Sequence, residues 1–108
     1  PIELDFLLRD FFDWYNHNRK KLHPVHLAGL VHLKFVTIHP FGDGNGRISR
    51  LIMNYVLHKN NYPMLIIPYS QRISYYTALE RSQIKKDENI FILWFFKRYF
   101  KEYKRYLQ

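Results

Sequence analysis

Twelve residues near the middle of the chain, His39-Pro40-Phe41-Gly42-Asp43-Gly44-Asn45-Gly46-Arg47-Ile48-Ser49-Arg50, force a break between two helices and fill that break with polar chemistry. Pro40 ends the helix before it, and glycines at alternate positions free the backbone to turn its N–H groups toward one point. Apolar spacing resumes at Ile48, Leu51, Ile52, Tyr55 and Val56, which predicts a helix directly after the glycines. The N-terminus of that helix adds unpaired N–H donors and the positive end of its dipole to the same point. Arg47 and Arg50 are expected on one helical face with Asn54, opposite the apolar stripe. Such an arrangement is a site for a polyphosphate.

The residue types agree with that chemistry. A histidine, with an unperturbed pKa of about 6.5, supplies a neutral imidazole able to take a hydroxyl proton near neutral pH. An aspartate is a hard oxygen ligand suited to Mg²⁺, and arginine forks match phosphate oxygens. In-line phosphoryl chemistry needs positioning and electrostatic stabilisation more than covalent intermediates.

The run matches H-P-F-x-D-G-N-G-R-x-x-R and resembles the Fic family of nucleotide transferases. The similarity extends upstream through Leu22-His23-Pro24 to Ile38, and downstream through Asn61-Tyr62-Pro63, Ile66-Ile67 and Arg72-x-x-Tyr75-Tyr76-x-x-Leu79. The resemblance implies an all-α core and transfer of AMP from ATP to Ser, Thr or Tyr of a target protein, called AMPylation. By the same resemblance His39 is the catalytic base and Asp43 holds Mg²⁺ between phosphates. Gly44, Asn45, Gly46 and Arg47 cradle the phosphates, and Arg50 meets the terminal phosphate or an inhibitory glutamate. Tyr75, Tyr76, Leu79 and Gln83 form the nucleotide base pocket, with Gln83 standing where many relatives have Asn. Kinase-like and phosphocholine-transferring branches exist, but Asp43 and the intact G-N-G-R accompany the AMP-transferring majority.

At 108 residues the chain reads as a single domain, 1–108, with room for one core, and its start at Pro1 rather than Met is expected of a chain either processed or belonging to a longer protein. Its 47% apolar content predicts a folded globule. No run approaches the roughly 18 apolar residues of a membrane span, and Ile90 to Phe96 is cut off by Lys97 and Arg98. Zero cysteines exclude disulfides and thiolate zinc sites; with no signal-peptide pattern, a cytoplasmic setting is expected.

Five helical segments follow from the spacing. Leu4, Leu7, Leu8, Phe11, Phe12 and Tyr15 mark the first, which the polar Asn16 to Lys21 ends. Pro24 opens the second, with Leu27, Leu30, Val31 and Ile38 on one face. The motif helix runs from about Asn45 to Lys59, with its stop at Asn60-Asn61. Pro63 and Pro68 bracket an irregular or extended link, and Ser70 is expected to cap a helix through about Gln83. A last helix from about Glu88 carries Ile92, Phe96, Tyr99, Phe100, Tyr103 and Leu107 on one stripe.

Other signals divide between bland and functional readings. His23, His26 and His32 lack the ligand set of a closed zinc site, and His32 is expected to pack or hydrogen-bond near the loop. Tyr75, Tyr76 and Leu79 read equally as core and as recognition residues. Lys97, Arg98, Lys101, Lys104 and Arg105, interleaved with aromatics, fit a nucleic-acid stripe or the solvated face of a core helix. The second is favoured, so any nucleic-acid affinity should be non-specific and salt-sensitive. The alternative function is a catalytically silent nucleotide- or nucleic-acid-binding module.

Two family features have no counterpart in the sequence. No glutamate follows the inhibitory pattern [S/T]-x-x-x-E-[G/N], so restraint is expected from an inhibitory partner or from N-terminal sequence. No alternating β-branched pair with a turn precedes His39, so the substrate-aligning β-hairpin flap is expected to be missing and protein modification by these residues alone to be poor.

Overall fold

The computed structural model describes residues 2–39 and 41–104. They form five helices: α1 (Ile2–Asn18), α2 (Pro24–Ile38), α3 (Asn45–Lys59), α4 (Arg72–Lys85) and α5 (Glu88–Tyr103). This is the expected all-α arrangement of about five helices.

Helix α2 is central because it is apolar nearly all round. Val25, Leu27, Ala28, Gly29, Leu30, Val31, His32, Leu33 and Phe35 are all buried, a pattern only a surrounded helix can satisfy. It packs against α1, α3 and α5. Gly29 sets the approach of α5: a Cβ there would lie 2.9 Å from both Ile92 Cδ1 and Phe95 Cδ2. The N-terminus of α2 follows the expected proline, and His23 caps it by accepting from the Val25 N–H through Nδ1.

The helix periods were right, but two buried faces differ from expectation. In α3 the core side is Asn45, Ser49, Met53, Val56 and Leu57, whereas Leu51 is 71% exposed and Tyr55 also faces outward. Among the described elements α3 packs chiefly on α2, so apolar residues beyond that contact stay at the surface. Ser49 tolerates full burial because its hydroxyl donates to the Gly46 carbonyl at 2.9 Å, inside its own helix. In α5 the core stripe is Phe91, Ile92, Phe95 and Tyr99, rotated toward Gly29, with Phe96 and Phe100 at its margin. Leu107 and Arg105 lie outside the described residues. Ser70 does not cap α4; it sits in a short 3-10 turn, Tyr69–Gln71, and Gln71 precedes the α-helix.

The irregular link between α3 and α4 has no backbone ladder, so side chains satisfy its polar groups. Asn54 Nδ2 donates to the Leu65 carbonyl at 3.1 Å, and its Oδ1 accepts from the Leu65 N–H at 2.8 Å. Tyr99 and Tyr103 donate to the carbonyls of Pro63 and Met64 at 2.7 and 2.8 Å. The link therefore stays against α3 and α5 and carries the chain to α4, which borders the motif loop.

Candidate active site

The loop joining α2 to α3 is built by two left-handed residues. His39 ends α2 with φ 54° and ψ 56°, its N–H reaching the Phe35 carbonyl at 3.3 Å. Pro40 lies outside the described residues. Gly44 takes φ 77°, where a side chain would be strained, and starts α3. Its carbonyl accepts the first helical bond, from Ile48 N–H at 3.0 Å. The N–H groups of Asn45, Gly46 and Arg47 consequently have no acceptor inside the helix.

Asn45 closes the loop. Its Nδ2 donates to the Phe41 carbonyl at 2.8 Å and its Oδ1 accepts from the Phe41 N–H at 2.9 Å. The same amide nitrogen lies 3.2 and 3.4 Å from the two ring nitrogens of His39. The Asn45 carboxamide is thus committed to holding the loop and the imidazole, and what it offers an anion is its backbone N–H.

His39, Asp43, Gly44, Asn45 and Gly46 line one cleft of about 800 Å³, whose opposite wall is Tyr75, Tyr76, Leu79 and Gln83 of α4. Val36, Thr37 and Glu80, which sequence reasoning missed, complete it. Thr37 receives a hydrogen bond from Gln83 Nε2 at 3.1 Å, tying the end of α4 to the end of α2. Only Thr37's position two residues before His39 could have signalled this. Tyr75 and Leu79 are both buried and cleft-lining, while Tyr76 is exposed, so core and cleft roles coexist. Glu80 makes no ion pair with Arg50 among the described residues. A separate groove of about 620 Å³ beyond Gln83, lined by Trp14, Lys34 and Glu88 among others, holds none of the motif residues.

Arg47, Arg50 and Asn54 share a face of α3 as expected, but the two arginines differ in exposure. Arg47 is exposed on the outer side of α3. Arg50 is half-buried, turned toward Tyr75 and His32, and Asn54 is occupied by the link. His32 is fully buried, with Nε2 against the Tyr75 hydroxyl. Burial, assisted by the Arg50 charge, lowers its pKa from 6.5 to about 4, while the Ser49 backbone pulls the other way. Burial likewise raises the pKa of Tyr75, and Arg50 opposes that shift.

His23, His26 and His32 are dispersed. His23 Nε2 meets the Tyr62 hydroxyl at 3.0 Å, and His26 packs edge-on against Phe96. Among the described residues no three His, Cys, Asp or Glu side chains are grouped to hold a metal. Asp43, an exposed carboxylate beside helix N–H donors, still suits Mg²⁺, which is commonly bound through one or two carboxylates and the phosphates of a substrate.

A family model described as Fic/DOC family matches residues 1–57, from α1 through the loop and most of α3. The chain belongs to the Fic/DOC family. It is 51% identical over 81 residues to a Drosophila willistoni protein named protein adenylyltransferase Fic, covering 74% of this chain and 16% of that protein. The Drosophila melanogaster protein of the same name is 49% identical over the same coverage. This Fic chain therefore spans about a sixth of the length of those curated relatives. Among solved structures, a Fic domain-containing signaling protein from Bacteroides thetaiotaomicron superposes with a TM-score of 0.85 at 32% identity, over 94% of this chain and 43% of that one. Fic-1 from C. elegans gives 0.81 at 31% identity, over 99% of this chain and 32% of that one. Among the described residues of the Fic core, no helix is long and apolar enough to cross a membrane.

Proposed function

We propose that the cleft binds MgATP and transfers AMP to a hydroxyl side chain of a target protein. One observation carries the reading: the loop places His39, Asp43 and the start of α3 on one side of a cleft whose other side is Tyr75, Tyr76, Leu79 and Gln83. The base is held against α4, and the phosphates extend over the N–H groups of Gly44, Asn45 and Gly46. Arg47 reaches in from the rim, and Arg50 meets the terminal phosphate from beneath the loop. Asp43 would hold Mg²⁺ with the phosphates, and the ion supplies charge neutralisation when bound.

In the reaction the target hydroxyl oxygen attacks the α-phosphorus while His39 accepts its proton. A phosphorus–oxygen bond forms to the target, the bond to the β-phosphate bridging oxygen breaks, and pyrophosphate leaves. Asn45 fixes the place of the imidazole, so the base is positioned before substrate arrives. Relatives named adenylyltransferase support this reading, at the partial coverage given above.

Calorimetric titration of ATP with and without Mg²⁺ tests the binding half. Mg²⁺ should tighten binding to the protein, and Asp43→Ala should remove that gain while leaving metal-free binding in place. An Mg²⁺ gain that survives in Asp43→Ala contradicts the assignment of Asp43. Intact-mass analysis of a lysate incubated with the protein, ATP and Mg²⁺ then reads the size of any adenylylated target.

A further inference from the structure

Among the described residues two carboxylates line the cleft, on opposite walls: Asp43 in the motif loop and Glu80 on α4. Asp43 stands beside the start of α3, whereas Glu80 has no positive group of that kind next to it on its own helix. The residues three and four places from it are Tyr76, Thr77, Gln83 and Ile84, none of them basic. The ion pairs found among the described residues, Lys34–Glu88 and Arg98–Glu102, leave it out. Elsewhere on a surface such an acid would simply be solvated. In a cleft that takes a polyanion, a bare negative charge repels the ligand unless some part of that ligand donates hydrogen bonds to it.

The two rows that α4 presents to the cleft show which part that is. Tyr75 and Leu79, four apart and both buried, form an inner row; Tyr76, Glu80 and Gln83, spaced i, i+4 and i+7, form an exposed outer row. A nucleoside has the matching polarity: its aromatic base suits the apolar inner row, and its sugar, with the hydroxyls, is left to the rim. A carboxylate only accepts hydrogen bonds, and its two oxygens match the vicinal 2′- and 3′-hydroxyls of a ribose. An acidic side chain on ribose hydroxyls is a recurring device of nucleotide-binding sites. Phosphate oxygens are acceptors too, so they find no partner in Glu80, and the N-terminus of α3 draws them to the other wall.

We propose that Glu80 is a specificity-determining residue that accepts hydrogen bonds from the ribose hydroxyls of the bound nucleotide and makes the cleft selective for ribonucleotides. The proposal rests on the reading of the cleft as an ATP site. It gives the two carboxylates separate tasks, Asp43 toward the metal and phosphates and Glu80 toward the sugar.

Calorimetric titration in the presence of Mg²⁺ tests the proposal, with ATP, 2′-deoxy-ATP and 3′-deoxy-ATP compared on the parent, Glu80→Gln and Glu80→Ala. Residue 80 is exposed and alanine is the strongest helix former, so the fold should survive both changes, as melting curves would verify. The parent should bind ATP about tenfold more tightly than either deoxy form, the usual scale of one hydrogen bond to a charged group. Glu80→Ala should lose that preference, and Glu80→Gln, which keeps one acceptor oxygen without the charge, should fall between. Removing a negative charge acts on all three nucleotides alike, so the ratio of affinities reads the hydroxyl contact rather than the change in charge. A parental ratio in Glu80→Ala would overturn the proposal. So would a parent that binds all three equally, although the ATP reading of the cleft would then still stand. A parent that binds none of them would contradict that reading and the proposal with it.

Discussion

The carboxamide of Asn45 pairs with both backbone polar groups of Phe41, donating to its carbonyl at 2.8 Å and accepting from its N–H at 2.9 Å. A side chain at the first turn of α3 thereby fixes the loop that precedes it, and with the loop the imidazole of His39.

Replacing that amide should loosen the loop in a graded way. Asn45→Asp keeps an acceptor for the Phe41 N–H but no donor for the Phe41 carbonyl or His39, while Asn45→Ala removes all three contacts. Each partly buried hydrogen bond of this kind contributes about 1 kcal/mol. The order of melting temperatures should be parent, then Asp, then Ala. Nucleotide transfer should fall more steeply than stability, because a misplaced base loses rate without unfolding the protein. Parental transfer by Asn45→Ala would show that the clasp is dispensable.

Acid should destabilise the fold through His32. Its folded pKa of about 4 lies below the unfolded value of 6.5, so the unfolded chain binds the extra proton first as pH falls. Above pH 6.5 neither state carries that proton and no penalty applies. Between 6.5 and about 4 stability declines, by roughly 3 kcal/mol in total from this one residue. Denaturant unfolding from pH 7 to 4 should give a shallower slope for His32→Gln than for the parent; parallel slopes would contradict the burial of a neutral ring.

Close packing of α2 on α5 makes Gly29 a sensitive position. An alanine Cβ there would sit 2.9 Å from Ile92 Cδ1 and Phe95 Cδ2, and Phe95 is itself fully buried and unable to swing away. Overpacking of about 1–3 kcal/mol outweighs the gain of about 1 kcal/mol in helix propensity. Gly29→Ala should therefore melt several degrees lower than the parent, as thermal denaturation would record; a higher melting temperature would mean that the helices can separate without loss.

Much of the fold was legible because helix spacing, Pro24, the glycine run and the Asn60-Asn61 stop are local signals. Faces were less legible because they depend on what lies opposite. Leu51 and Tyr55 continue the apolar period of α3 but extend past the helix it packs on, and Ser49 is buried in their place. The expected site residues His39, Asp43, Gly44, Asn45 and Gly46 do share one cleft with Tyr75, Tyr76, Leu79 and Gln83. The different burial of Arg47 and Arg50 could not be read from their spacing, which puts both on one face of α3 without saying what packs against each. Nor could the Asn45 clasp or the His32–Tyr75 contact, which join residues through tertiary geometry.

Transfer from ATP labelled at either the α- or the γ-phosphate, with Mg²⁺ and a hydroxyl-bearing target, tests the central claim most directly when the protein and His39→Ala are run side by side. The account predicts incorporation of the α label alone, a fall of about 10²–10⁴ in rate for His39→Ala, and ATP affinity in that variant close to the parental value. Incorporation of the γ label, or equal α-label transfer by His39→Ala, would contradict it.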